Sequence, residues 1–239
     1  MKVNYGYIKV LILLVLVGFL YAFSNARNKS RVINKPRVEF TSSDNLFLTH
    51  DNVSKLLIQN PKGLNNKNKE IIDLNELESA LNSNPMVKNA EVFMSVNGEL
   101  SAKIEQKQPI ARVHTNASYY IDDEGSYMPL SANYSARVPL VTGTVYKSKL
   151  DKVYQIAKAI DGDQFLKQHV IEIRQDQNQD ISLRLRQFDF VVNIGSLDKL
   201  DKKVNNFKAF YKKAIKDKTI NTYSSVNLRF DNQVICTKK

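Results

Sequence analysis

Residues 84–109 read NPMVKNAEVFMSVNGELSAKIEQKQP. From Ala90 the side chains alternate, with Val92, Met94 and Val96 apolar against Glu91, Phe93 and Ser95. Asn97-Gly98 then reverses the chain into Leu100, Ala102 and Ile104, the pattern of a two-residue β-hairpin. No histidine, cysteine or paired acid stands where it could work on a substrate. Upstream, Thr49 caps a helix carrying Val53, Leu56 and Leu57. After the polar loop KGLNNKNKE, Asp73 and Glu76 form a capping box ahead of Leu74, Leu77 and Leu81, and Pro85 ends that helix. With a short extended piece at Val38–Phe40 the order is β-α-α-β-β. Each buried leucine contributes about 1.5–3 kcal/mol, enough together to hold two helices on a three-stranded sheet.

The 239-residue chain is 43% hydrophobic and 25% charged, which is ordinary globular content. Its net charge of +11 comes mostly from lysine, a solvated point charge that attracts anionic surfaces but does not read bases. With no groove-reading motif, nucleic acid is excluded as a partner. One cysteine, Cys236, and three separated histidines, His50, His114 and His169, supply neither a disulfide framework nor metal-ligand spacing. No cofactor site is expected.

Val10–Phe23, VLILLVLVGFLYAF, is uncharged, and extension back to Tyr5 gives about 19 residues, roughly 28 Å of helix. Lys9 can snorkel to the headgroups, and Tyr5, Tyr7 and Tyr21 suit an interface. This reads as a single membrane anchor; a cleaved signal peptide, with Ser24-Asn25-Ala26 at the cut, is the competing reading. Arg27, Lys29, Arg31, Lys35 and Arg37 follow the helix, which by charge alone places the large region in the cytoplasm. Long segments, however, translocate largely regardless of charge.

Beyond Pro109, Tyr119-Tyr120-Ile121 runs into Asp122-Asp123-Glu124-Gly125, a polar turn closed by glycine rather than a catalytic cluster. Leu150, Val153, Ile156, Ala157 and Ile160 mark a helix, and strands follow around 170–173, 181–185 and 188–194. Ser196 is the expected cap of a helix with Leu200, Val204, Phe207, Tyr211 and Ile215 on one face and lysines, Lys203 among them, around the rest. Val226, Leu228 and Phe230 alternate, Asp231-Asn232 turns, and Val234-Ile235-Cys236 forms a last strand placed to be a sheet edge.

The order of elements, with NPMVKNAEV and GELSAKIEQKQPIARV, resembles the POTRA domain of the FtsQ/DivIB family of bacterial division proteins. YYIDDEGSYMPLS, VPLVTG and VNLRFDNQVICTKK are similar to later family motifs in the same order. The resemblance implies an α+β protein: a short cytoplasmic start (1–8), a transmembrane helix (9–26), a linker (27–36), a POTRA domain (37–108) and a mixed α/β domain with a curved, mostly antiparallel sheet (109–239). It implies a bitopic, non-enzymatic scaffold of the inner membrane at the septum. Such a scaffold binds FtsB-like and FtsL-like coiled-coil proteins and helps control septal peptidoglycan synthesis. Carried onto this sequence, the partner-binding residues are Phe230, at the family's aromatic after Leu-Arg, Asp231, and Asn232, Gln233, Val234, Ile235 and Cys236 on the accepting strand, with Arg174 meeting a partner acid. The POTRA strand, through Val92, Met94 and Val96, is a candidate second site, for FtsK or for membrane organisation. Two other classes stand beside this reading: an extracytoplasmic wall- or lipid-acting enzyme, and a POTRA module in polypeptide transport.

Overall fold

The structure, a computed structural model, describes residues 5–29, 36–41, 47–59, 73–95 and 98–239. The chain divides into two compact units, Met1–Gln106 and Lys107–Lys239.

The first unit opens with helix α1, Tyr5–Lys29. Its segment Gly6–Ala26 is 21 residues long with none of its span buried in the protein. At 1.5 Å per residue it extends roughly 32 Å, a bilayer core's thickness. Then come β1 (Arg37–Phe40), α2 (His50–Gln59), α3 (Leu74–Asn82), β2 (Val87–Met94) and β3 (Leu100–Gln106). The sheet order is β1-β3-β2, with β1 parallel and β2 antiparallel to the central β3, so the β-α-α-β-β reading holds. Thr49 Oγ1 accepts the Asn52 N–H at 3.2 Å, and Asp73 Oδ1 accepts those of Asn75 and Glu76 at 3.0 and 3.2 Å, as the sequence leads one to expect. Val53, Leu57, Leu77 and Leu81 pack onto Leu100, Ala102 and Ile104 in one hydrophobic core. Buried Gln106 holds the approach to α2: its amide oxygen accepts the N–H groups of Phe47 and Leu48, and its amide nitrogen donates to the Leu48 carbonyl.

Two expectations need correction here. Leu56 is 39% exposed, because the helix turns it one position off the buried stripe. The hairpin closes with Ser95 N–H donating to the Glu99 carbonyl at 2.9 Å and Gly98 N–H to the Ser95 carbonyl at 2.8 Å. Three residues therefore separate the closing pair, rather than two, and Gly98 adopts φ +84°, the left-handed position such a connection requires.

The second unit contains β4 (Pro109–His114), β5 (Ser118–Asp122), β6 (Tyr127–Met128), β7 (Leu140–Gly143), α4 (Asp151–Gly162), α5 (Gln164–His169), β8 (Val170–Gln175), β9 (Ile181–Leu185), β10 (Val191–Gly195), α6 (Leu200–Lys216), β11 (Tyr223–Asn227) and β12 (Ile235–Lys238). The strands make one nine-stranded sheet in the order β12-β11-β10-β9-β8-β7-β4-β5-β6. Five pairings are antiparallel and three parallel. Helices supply two of the parallel crossovers: α4 and α5 carry the chain from β7 to β8, and α6 carries it from β10 to β11. Val153, Ile156, Ile160, Val204, Phe207 and Tyr211 bury against Val141, Ile173, Leu183, Val192 and Val226.

Helix α6 begins later than its sequence suggests. Its cap is Lys199, in the left-handed conformation at φ 52°, and Ser196 lies upstream. Ile215 is 46% exposed, while Lys203 is buried at 4%, its ammonium donating to the carbonyls of Ile194 and Ser196 at 3.0 and 2.7 Å.

Candidate functional site

The C-terminal segment is shaped by what β11 buries. Val226 and Leu228 are in the core, and the Leu228 N–H donates to the Asn193 carbonyl at 2.8 Å. Past Leu228 the chain leaves the sheet and is tied to its neighbours by charge. Arg229 Nη2 pairs with Asp180 at 2.9 Å, Asp231 pairs with Lys199, and Lys202 Nζ donates to Asn232 Oδ1 at 2.9 Å. The Lys199 ammonium, bonded to the carboxylate, holds Asp231 below the ordinary carboxylate range, and Asp231 in turn raises Lys199. The turn is thus fastened to the start of α6. Gly195 fits beneath it at φ +71°, where a Cβ would stand 2.7 Å from Arg229 Cγ.

Strand β12 then returns antiparallel to β11, pairing Asn227 with Ile235, Val226 with Cys236 and Ser225 with Thr237. It lies at one end of the strand order, so alternate N–H and C=O groups along its outer side face away from the sheet. Cys236 and Val234 pack against the core, and burial raises the Cys236 thiol. Phe230 is 45% exposed and Ile235 41%. Between the 231–234 turn and α6 lies a groove of about 580 Å³, with Lys202, Asn206, Phe210, Lys213, Gln233 and Val234 in its lining.

Arg174 is not in this cluster. It sits on β8, four strands from β12, roughly 19 Å at 4.8 Å per step. Yet the registers join it to the edge in one row: Arg174 faces Ser182, Ser182 faces Asn193, Asn193 faces Asn227, and Asn227 faces Ile235. Their sequence neighbours Ile173, Leu183, Val192 and Val226 are buried. By strand alternation the whole row therefore occupies the face opposite the core. The row is not written in any local stretch of sequence; of the α6 groove, the sequence singled out the 231–234 side but not Asn206 and Phe210 across from it.

The acidic turn is structural in its contacts. Asp122 is buried at 1%, its Oδ1 accepting the N–H groups of Glu124 and Ser126 at 3.1 and 2.6 Å and its Oδ2 2.8 Å from Lys107 Nζ. Among the described residues no group of three metal-ligating side chains gathers.

In the first unit, Val92 is buried at 8% against the helices and Met94 is half-buried; Val96 lies outside the described residues. The outer edge of β2 is occupied by α3. Asn82 accepts the Ala90 N–H at 2.8 Å and donates to the Ala90 carbonyl at 3.3 Å, while Glu78 accepts the Val92 N–H at 3.1 Å.

Two family matches account for nearly all of residues 38–237. The family described as FtsQ/DivIB, C-terminal related, matches residues 108–237. A POTRA-like domain matches residues 38–105. No individual curated protein matches the chain. With more than half its length matched to the family's C-terminal region, and an apolar helix and a POTRA-like domain ahead of it, the chain belongs to the FtsQ/DivIB family of cell-division scaffolds.

Proposed function

We infer that this protein is a bitopic scaffold of the divisome. In this reading α1 lies in the inner membrane, both folded units are extracytoplasmic, and the C-terminal edge gathers an FtsB-like and FtsL-like coiled-coil pair, through which septal peptidoglycan synthesis is controlled. It catalyses nothing itself. The observation that carries the reading is β12: a short edge strand with one free side, beside an exposed Phe230 and Ile235, is suited to accept a partner's strand through backbone hydrogen bonds. The row from Ile235 to Arg174 supports a second contact. A partner segment continuing across the open face for roughly 19 Å would bring an acid to the Arg174 guanidinium.

The test is a crosslinking pull-down from native membranes with the full chain and with a form ending at Asp231. Capture of a small coiled-coil membrane protein by the first and its loss from the second supports the reading. Capture by both, each folded, places binding elsewhere. Val234→Pro refines the result: it removes a backbone donor, and retention by this folded variant would sink strand addition at the edge. A reporter active only outside the cytoplasm, fused after Lys239, tests orientation.

A further inference from the structure

The second unit carries a separate recessed site. Ile110 of β4, Ile160 of α4 and Val170 of β8, all buried to 3% exposure or less, line a cavity of about 260 Å³ together with Pro139. Its lining is completed on the charged side by Arg137, Lys167, Arg186 and Asp161. Lys167 is committed to Asp161 at 2.7 Å. Among the described residues, the guanidinium groups of Arg137 and Arg186 have no carboxylate or hydrogen-bond partner. Two unpaired planar forks beside an apolar floor define a chemistry. A guanidinium binds a carboxylate bidentately, and the floor rewards burial of an aliphatic or aromatic side chain. The volume falls just below the roughly 300–1,000 Å³ of small-molecule sites, leaving room for one or two side chains. A phosphate polymer or lipid headgroup would satisfy the arginines and leave the apolar floor unused.

We propose that this cavity docks a peptide segment of a partner protein in which an apolar side chain is flanked by acidic residues. The site is independent of the β12 edge, since β10 and β11 stand between that edge and the β8 and β9 strands that carry Val170 and lead into Arg186.

Random peptides displayed on phage and selected against the full chain in lipid nanodiscs test this, with the R137E/R186E double variant and the form ending at Asp231 as comparisons. The expected result is enrichment of peptides pairing Asp or Glu with Leu, Ile or Phe. They should bind the double variant at least tenfold more weakly, bind the truncated form unchanged, and lose affinity as salt rises. Enriched peptides without acids, or equal binding to R137E/R186E, would overturn the proposal. So would inorganic phosphate displacing the peptides as well as an acidic peptide of the selected class does, which would reveal a bare anion site. Should the double variant fail to fold, R137K/R186K keeps both charges and removes the forks; severalfold weaker binding is expected, and unchanged binding counts against the site.

Discussion

At Gly143 the backbone has φ +91°, and a Cβ there would stand 2.0 Å from the Gln175 carbonyl oxygen, so the end of β7 can lie against β8 only without a side chain. Gly143→Ala should lower stability by about 2 kcal/mol or more, seen as a reduced urea midpoint at unchanged slope. Asp163 is poised differently. Its Oδ1 caps α5 by accepting the Leu166 N–H at 3.0 Å, and its other oxygen pairs with Lys208 of α6. Burial works to raise this carboxyl, but the Lys208 ammonium and the Leu166 N–H outweigh it and hold it below its ordinary value. A depressed carboxyl contributes stability above its unfolded value, near 3.9, and loses it as pH falls through the folded one. Asp163→Asn keeps the α5 cap but removes the charge paired with Lys208; it should therefore cost about 0.5 kcal/mol at pH 7, with the gap to the unsubstituted protein closing below about pH 4 in denaturant titrations across pH. Lys203 marks where reading by residue type fails. Its position, between Leu200 and Phe207 at helical spacing, places it on the buried stripe; its charge argues for water. The geometry of Ile194 and Ser196 decides, because their carbonyls satisfy the ammonium inside.

Among the elements, α3 and β2 form a clamp. The Asn82 side-chain amide meets the Ala90 N–H and carbonyl as a neighbouring strand would, which closes an edge that would otherwise template pairing. Asn82→Ala should cost about 1 kcal/mol and, more tellingly, give concentration-dependent self-association by sedimentation; a strictly monomeric variant would show that Glu78 alone suffices. The helices and strands of the first unit were legible because their apolar periods are strong and their N-caps at Thr49 and Asp73 are local, and so were α4, β8, β9 and α6 of the second; β6, β7 and α5 were not, being too short to show a period. The start of α6 was not, since the left-handed Lys199 is set by the turn after Gly195 and carries no residue-type signature. The candidate edge was legible only in part: β11 ends at Asn227 and β12 begins at Ile235, so Phe230 does not continue the alternation of Val226 and Leu228 as a strand residue, and Asn232, Gln233 and Val234 lie in the turn. Its alignment with Arg174 was not, because that depends on register across four strand pairings.

For the molecule as a whole, the hydrophobic cores of the two units share no residue, one spanning Val38–Ile104 and the other Ile110–Leu228. Leu77→Ala should remove about 2–5 kcal/mol from the first, while hydrogen exchange at Val192 and Val226 in the second stays as slow as before; accelerated exchange in both would mean that the cores unfold as one. A sheet over 109–239 was expected from the family resemblance, but its strand order was not legible, since parallel crossovers are decided by long-range packing. One consequence concerns Cys236, the only cysteine in 239 residues, partly covered on the outermost strand with its thiol raised by burial. A raised thiol is less ionised at a given pH and so reacts more slowly. Iodoacetamide at pH 8 should alkylate it more slowly than an unstructured cysteine peptide, and more slowly still when a neighbour covers that strand. The rate of a single chemical footprint, with no engineered label, would then report whether anything covers that strand.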